Sequence, residues 1–213
     1  MRLINTSTEL FEDFIGADIP PYVILSHCWE EEEVSFQDMV GNYPQCRQKK
    51  GYQKIKMTCQ LAVQDGHQYA WIDTCCIDKS SSAELTEAVN SMYQWYNDSQ
   101  ICYAFLCDLP SVASVDARFP ACRWFTRGWT LHELIAPWKL IFFDQDWQRW
   151  GTKYDLSQQL SGITGVHVEI LLGSKHLSEN SVAQKMPWAA ARQTARLEDT
   201  AYCLLGIFDV NSE

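Results

Sequence analysis

The chain has 213 residues, 46% of them hydrophobic and 13% aromatic, with nine Trp and a net charge of −10, and a pI near 4.9. That is enough apolar chain for one sizeable domain with a large core, so disorder is excluded as the default reading. An acidic surface excludes binding to a nucleic-acid backbone as the main role, while leaving room for a small anionic ligand received by local dipoles and a few Arg or Lys.

The first residues, MRLINTSTELFEDF, carry acids where a signal peptide needs an apolar core. After Pro20-Pro21, YVILS at 22–26 is a short β-branched run that predicts a buried strand. HCWEEEEVSFQD follows, with four consecutive acids that need water. GYQKIKMTCQLAVQD at 51–65 sets Ile55, Cys59, Ala62 and Val63 at helical spacing, with Gly66 as the stop. YAWID at 69–73 predicts a second buried strand, and TCCIDKSS a loop. Ser81-x-x-Glu84 is a capping box that opens a helix with Leu85, Ala88, Val89, Met92 and Tyr96 on one stripe. ICYAFL at 101–106 is a third strand and DLPSVASVDARFPA a loop. RGWTLHELIA is a short helix ended by Pro137, and KLIFF at 139–143 a fourth strand.

This alternation predicts an α/β fold with a parallel sheet covered by helices on both faces. Ligands in such sheets sit beyond the carboxyl ends of the strands, here Ser26-His27, Asp73-Thr74, Asp108 and Phe143-Asp144. Residues 149–213 read as a mostly helical extension of a 1–148 core. They hold a second capping box at Ser181-x-x-Gln184, an interruption at Pro187, and EDTAYCLLG ended by Gly206. The chain ends at FDVNSE without a clear terminal element, and a longer parent protein is expected.

Nine Cys, an odd number with a vicinal pair Cys75-Cys76 but no C-x-x-C, do not make a secreted disulfide framework. No zinc-ligand spacing is present, so no metal is expected and the Cys pair reads as buried free thiols. No apolar run approaches the roughly 20 residues of a membrane span. Together these features point to a reduced, soluble, cytoplasmic protein.

Within RGWTLHEL, a helical wheel sets Leu131, Leu134 and Ile135 on one side and Trp129, His132 and Glu133 on the other. Glu133 then lies one turn after Trp129, where an indole wall partly desolvates the carboxyl and raises its pKa. Facing an open cavity at the sheet rim, such a group handles a developing cation. The same stretch also fits a capping box, Thr130-x-x-Glu133, in which Glu133 is a helix-start device. Periodicity leaves both readings open.

Four long stretches, IPPYVILSHCWEEEEVSFQDM, YAWIDTCCIDKSSSAELTEAVNSMYQWY, RWFTRGWTLHELIAP and SVAQKMPWAAARQTARLEDTAYCLLGIFDVN, closely resemble the heterokaryon-incompatibility (HET) domain of filamentous fungi. The resemblance covers nearly the whole chain. It implies a single domain over 1–213, placed at the N-terminus of a larger receptor with a nucleotide-binding module and repeats. It also implies a role in innate immunity, triggering programmed cell death when incompatible strains fuse. The HET domain is in turn remotely similar to Toll/interleukin-1 receptor (TIR) domains, which implies a flavodoxin-like sheet.

Enzymatic TIR domains hydrolyse NAD+ with one glutamate in a motif similar to W-C-x-x-E-L, and Trp129-Thr-Leu-His-Glu133-Leu134 fits that pattern. The resemblance therefore implies Glu133 as the catalytic carboxylate, NAD+ or a related nucleotide as substrate, and no further cofactor. Ser26, His27 and Trp29 match the turn that lines the nucleotide site. Asp73, Asp78, Lys79, Arg127 and Trp129 complete the candidate set, with Arg123 as a further cation. Glu30 departs from the family, which usually has glycine there, and His132 stands where glutamine is commoner.

Each candidate has a structural alternative. Ser26 and His27 fit an ordinary strand exit, Asp73 a turn acid, and Glu30 to Glu33 a solvated charge run. His27 and Cys28 are strand neighbours that point to opposite faces, so they do not form a thiol–imidazole pair. Arg192, Arg196, Glu198 and Asp199 are expected to form salt bridges to the sheet. Two functional readings follow: an NAD+-hydrolysing enzyme assembled by self-association, or a non-catalytic module signalling by self-association through Tyr93, Trp95 and the acidic 30–33 loop.

Overall fold

The computed structural model describes residues 1–16, 18–41, 45–111 and 118–210. Among the described residues, seven strands form one sheet. Its centre is built from the four apolar runs: β3 (Tyr22–His27), β4 (Tyr69–Trp71), β5 (Ile101–Phe105) and β6 (Leu140–Phe143). They are parallel and lie in the order β4-β3-β5-β6. Every residue of β3, β5 and β6 is buried. Such strands need cover on both faces, which is why they read as unbroken apolar runs.

The α/β class holds, but the sheet is mixed rather than parallel throughout. β1 (Arg2–Asn5) pairs antiparallel with β4 and with β2 (Phe11–Asp13), and β7 (Arg149–Thr152) pairs antiparallel with β6. FED and RWGT carry charged residues because they are the two edge strands of the sheet. RLIN is paired on both sides with Leu3 and Ile4 fully buried, but its apolar run is too short to betray a strand. The four parallel strands follow a second-first-third-fourth order, the first four places of a 2-1-3-4-5 sheet. Antiparallel β7, from beyond residue 148, stands where that order has its fifth strand.

The helix α2 (Tyr52–Gln64) leads from β3 to β4, and α3 (Ser82–Asp98) leads from β4 past β3 to β5. These crossovers run in opposite directions, so right-handed connections put the two helices on opposite faces. A short α1 (Phe36–Gly41) precedes α2, and α4 (Thr130–Ile135) follows β5 and packs against α3. Gly66 takes φ 82° just after α2, the left-handed geometry of a helix stop. Ser81 caps α3 by accepting from Glu84 N. The other half of that box is redirected, because Glu84 Oε1 accepts from Asp78 N and Arg2 Nη1 instead.

Beyond β7 come α5 (Ser157–Thr164), α6 (Val168–Leu171), α7 (Val182–Ala190), α8 (Asp199–Tyr202) and α9 (Leu205–Phe208). The Ser181–Gln184 box is complete in both directions. Pro187 does not interrupt its helix; it lies inside α7. Gly206 ends no helix either. It sits within α9, where an added Cβ would fall 2.1 Å from Tyr93 Cβ on α3. Trp95 packs on Trp71 with ring centroids 5.4 Å apart. Both aromatic residues proposed for self-association are thus engaged inside the chain. The loop expected after β5 includes 112–117, which lie outside the described residues, and its far end is a 3-10 turn, Phe119–Ala121. Among the described residues no helix is long and apolar enough to cross a membrane.

Gly206→Ala sets a methyl group onto Tyr93 Cβ, which yields only if α3 or α9 moves. The expected cost is about 1–3 kcal/mol, read as a lower urea midpoint. Gly162→Ala in α5 is the control: its Cβ meets nothing within 4 Å, and the midpoint should hold or rise.

Candidate active site

Ser26 and His27 are the last two residues of β3, so their side chains point to opposite faces of the sheet. From β3 the chain goes one way to β4 and then returns across to β5. The crevice beyond its carboxyl end is therefore the topological switch point, where sheets of this kind receive ligands. The expected site residues divide between the two sides of this strand end.

On the α4 side, the Ser26 hydroxyl donates to Glu133 Oε2. It also accepts from Trp124 Nε1 at 2.7 Å. Every residue of α4 from Thr130 to Ile135 is buried, because the helix lies among β3, α3, α6 and the 3-10 turn Arg123–Thr126. The expected division of α4 into a core face and an open face therefore fails. Trp129 is half-buried with its ring against His132, and the indole that reaches the Glu133 site is Trp124. Sequence reasoning missed Trp124, which sits in a 3-10 turn without periodicity. The usable signal was the rule that a buried indole N–H requires an acceptor.

The capping reading of Glu133 fails as well. Trp129 occupies the position before α4 and makes no side-chain cap. The Thr130 hydroxyl donates to the carbonyls of Trp124 and Arg127, and the Glu133 carboxylate turns away across the fold to Ser26. Glu133 is 7% exposed. Burial raises its carboxyl to about 7; the Ser26 hydrogen bond opposes this, Asp73 adds to it, and Arg127 and the Tyr96 hydroxyl lower it.

Two cations hold α4. Lys153, buried just after β7, donates to the carbonyls of Leu134, Ile135 and Pro137. It thereby satisfies oxygens that a helix end leaves bare. Arg192, after α7, donates to Arg127 O at 2.8 Å and to Thr130 Oγ at 2.9 Å. The bonds of Arg192 thus go to these oxygens rather than to the carboxylates expected for it.

On the α2 side, His27 Nε2 lies 3.0 Å from Asp73 Oδ1, and Trp29 Nε1 donates to Asp73 Oδ2 at 2.8 Å. Burial works against the Asp73 charge, yet the bond and charge of His27, with Lys79 and Arg127, hold its carboxyl well below the usual range. Lys79 Nζ is 3.6 Å and Arg127 Cζ 5.7 Å from the centroid of the Trp29 ring. Arg127 also donates to His27 O at 3.4 Å. The rim thus presents a half-exposed indole with two cations. Asp78 does not join this group. It accepts from Ser80 and Gln37, as a turn acid ahead of α3.

The acidic run is not uniformly solvated. Glu33 turns inward, with its side chain 15% exposed, bound to Lys54 and 3.8 Å from His27 Nδ1. Glu30 spans Lys54 at 3.6 Å and Arg123 at 3.3 Å. Cys75 and Cys76 are free and buried. Among the described residues no three His, Cys, Asp or Glu side chains are set to hold a metal ion. A half-open cavity of about 500 Å³ lies between α7, α8 and Gly128, and another of about 280 Å³ is bounded by Glu30, Glu33, Lys50 and Lys54. Neither is the open cavity expected in front of Glu133.

The burial of Glu133 predicts a pH dependence of stability. Its carboxyl titrates near 4.5 when unfolded and near 7 when folded, so the folded state binds that proton more tightly. The resulting stabilisation is full below about pH 4.5 and is lost as pH rises through about 7. Wild type should lose on the order of 3 kcal/mol relative to Glu133→Gln across that window. Denaturant unfolding at several pH values measures this, and parallel curves for the two proteins would refute it.

Residues 22–109 match the family model described as Heterokaryon incompatibility protein (HET). Over 94% of its length the chain is 45% identical to Vegetative incompatibility protein HET-E-1 of Podospora anserina, and it spans 15% of that relative. No solved structure matches the chain. A family match on the central strands, joined to this identity across nearly all its residues, establishes that the chain belongs to the heterokaryon-incompatibility (HET) family.

Proposed function

We propose that this domain is an effector of fungal incompatibility that kills the cell by hydrolysing NAD+, with Glu133 as the catalytic carboxylate. The role in incompatibility rests on the family and on the name of the relative. The chemistry rests on one observation: α4 carries a desolvated carboxylate to Ser26 at the carboxyl end of β3, beside the switch point. A carboxyl held near 7 is substantially ionised at neutral pH yet poorly hydrated, which suits it to meet charge that appears only in the transition state.

The reaction converts NAD+ and water to nicotinamide, ADP-ribose and a proton. The bond from the anomeric carbon to the nicotinamide nitrogen breaks, and its electron pair leaves with nicotinamide. Positive charge builds on the ribose as in glycoside hydrolysis. Nicotinamide departs from a cationic state and needs no strong acid, so one carboxylate near the anomeric carbon suffices. Water then adds to that carbon and releases a proton. Lys79 and Arg127 at the rim supply charge for the diphosphate, beside the half-exposed indole of Trp29.

A specific feature favours the second reading, a non-catalytic module that signals by self-association: neither cavity described above is lined by Glu133. The enzyme reading takes the site to be completed on assembly. The test therefore uses concentrated protein brought into self-association, incubated with NAD+ and followed by nicotinamide release. Release should rise with pH through about 7, and Glu133→Gln should lower it about 10²–10³-fold and abolish toxicity in cells. Toxicity that survives Glu133→Gln sinks the enzyme and leaves the assembly reading in its place.

A further inference from the structure

Trp124 lies in the 3-10 turn before α4 and is 0% exposed. Its indole nitrogen is a donor only, and at 2.7 Å it donates to Ser26 Oγ. One acceptor position of the serine is thereby filled. A hydroxyl that accepts a hydrogen bond becomes a better donor, and the proton of this one is directed to Glu133 Oε2. Without the indole N–H, the same hydroxyl is free to turn and accept from a protonated Glu133.

We propose that Trp124 is a positioning residue: acting through Ser26, it aims a polarised hydroxyl at Glu133 and holds that carboxylate, in its charged form, at the end of β3. The proposal rests on the reading of Glu133 as the working group, but its readout does not require turnover. The other titratable or charged groups around Glu133 are the Tyr96 hydroxyl on α3, Asp73 after β4, Arg127 before α4, Cys102 on β5 and Arg192 after α7. None of them is altered by the substitutions below.

The carboxyl of Glu133 is followed by carbon NMR across pH in the labelled chain. Trp124→Phe should raise the Glu133 midpoint by about one pH unit, the scale of a hydrogen bond to a charged group. Ser26→Ala should raise it comparably, and Trp124→Phe should add little in the Ser26→Ala background. A midpoint that stays in place in Trp124→Phe, or a full second shift on top of Ser26→Ala, overturns the proposal. If the smaller ring does not fold, wild type decides: the indole N–H resonance of Trp124 should move with the Glu133 midpoint and stay flat in Glu133→Gln. A resonance flat in both overturns the proposal. Absence of nicotinamide release from wild type defeats the enzyme reading alone and leaves these titrations to judge Trp124.

Discussion

The site depends on one costly arrangement, a carboxylate taken out of water with no salt bridge among the described residues. Removing such a charge from water costs several kcal/mol unless neighbours replace the lost hydration. Glu133 receives a neutral hydroxyl from Ser26, and Arg127, the nearby cation, spends a hydrogen bond on His27 O instead. A fold selected for stability alone would place an apolar side chain here, or pair the acid with arginine. The partial compensation is what leaves the group near 7, above its ordinary value of 4.5. Asp73, just after β4, shows the contrary solution: both of its oxygens are bonded, and its carboxyl is held low.

The frame around Glu133 follows from the shortness of α4. Six residues make too few internal hydrogen bonds to hold a helix by themselves, so its ends are tied from outside. Lys153 covers its last carbonyls and Arg192 holds its first turn. The approach to the helix is bonded in addition, Gly128 N to Gln193 O at 2.8 Å and Gln193 N to Thr126 O at 2.7 Å. This contact requires glycine, since a Cβ on Gly128 would fall 2.5 Å from Thr194 Cγ2. The region beyond residue 148 is therefore the brace that fixes the direction of the Glu133 side chain.

The readable part of the sequence is the part in which local chemistry and tertiary environment agree. Buried parallel strands are apolar on both faces, so YVILS, YAWID, ICYAFL and KLIFF announced the centre of the sheet. Edge strands obey no such rule, so FED and RWGT passed unnoticed, and the inner strand RLIN was too short to stand out. At the candidate site, the places of Ser26, His27 and Asp73 at strand ends and of Glu133 on α4 were legible, because apolar runs mark where strands and helices stop. Their partners were not, since hydrogen bonds such as Trp124 to Ser26 join residues 98 apart. Thr130-x-x-Glu133 shows the limit clearly: the motif is satisfied in sequence, yet Ser26 outcompetes the local backbone for the carboxylate.

The alternation of β3 has a last consequence. Ser26 and His27 face opposite sides of one strand end, so Glu133 is bonded on one face and Asp73, with Trp29 and Lys79, on the other, while the charge of Arg127 acts on both acids. On the proposed chemistry, a ligand that engages both faces carries its negative and positive portions on different segments, as a dinucleotide with a diphosphate and a cationic base does. Glu30 already lies at that rim between Lys54 and Arg123. The Glu30–Arg123 pair, exposed at both ends, contributes only about 0–1 kcal/mol, too little to keep a diphosphate from Arg123. On the proposed chemistry, the side chain at position 30 therefore moderates affinity at the rim, while the reacting centre stays set by Ser26 and Glu133 behind it.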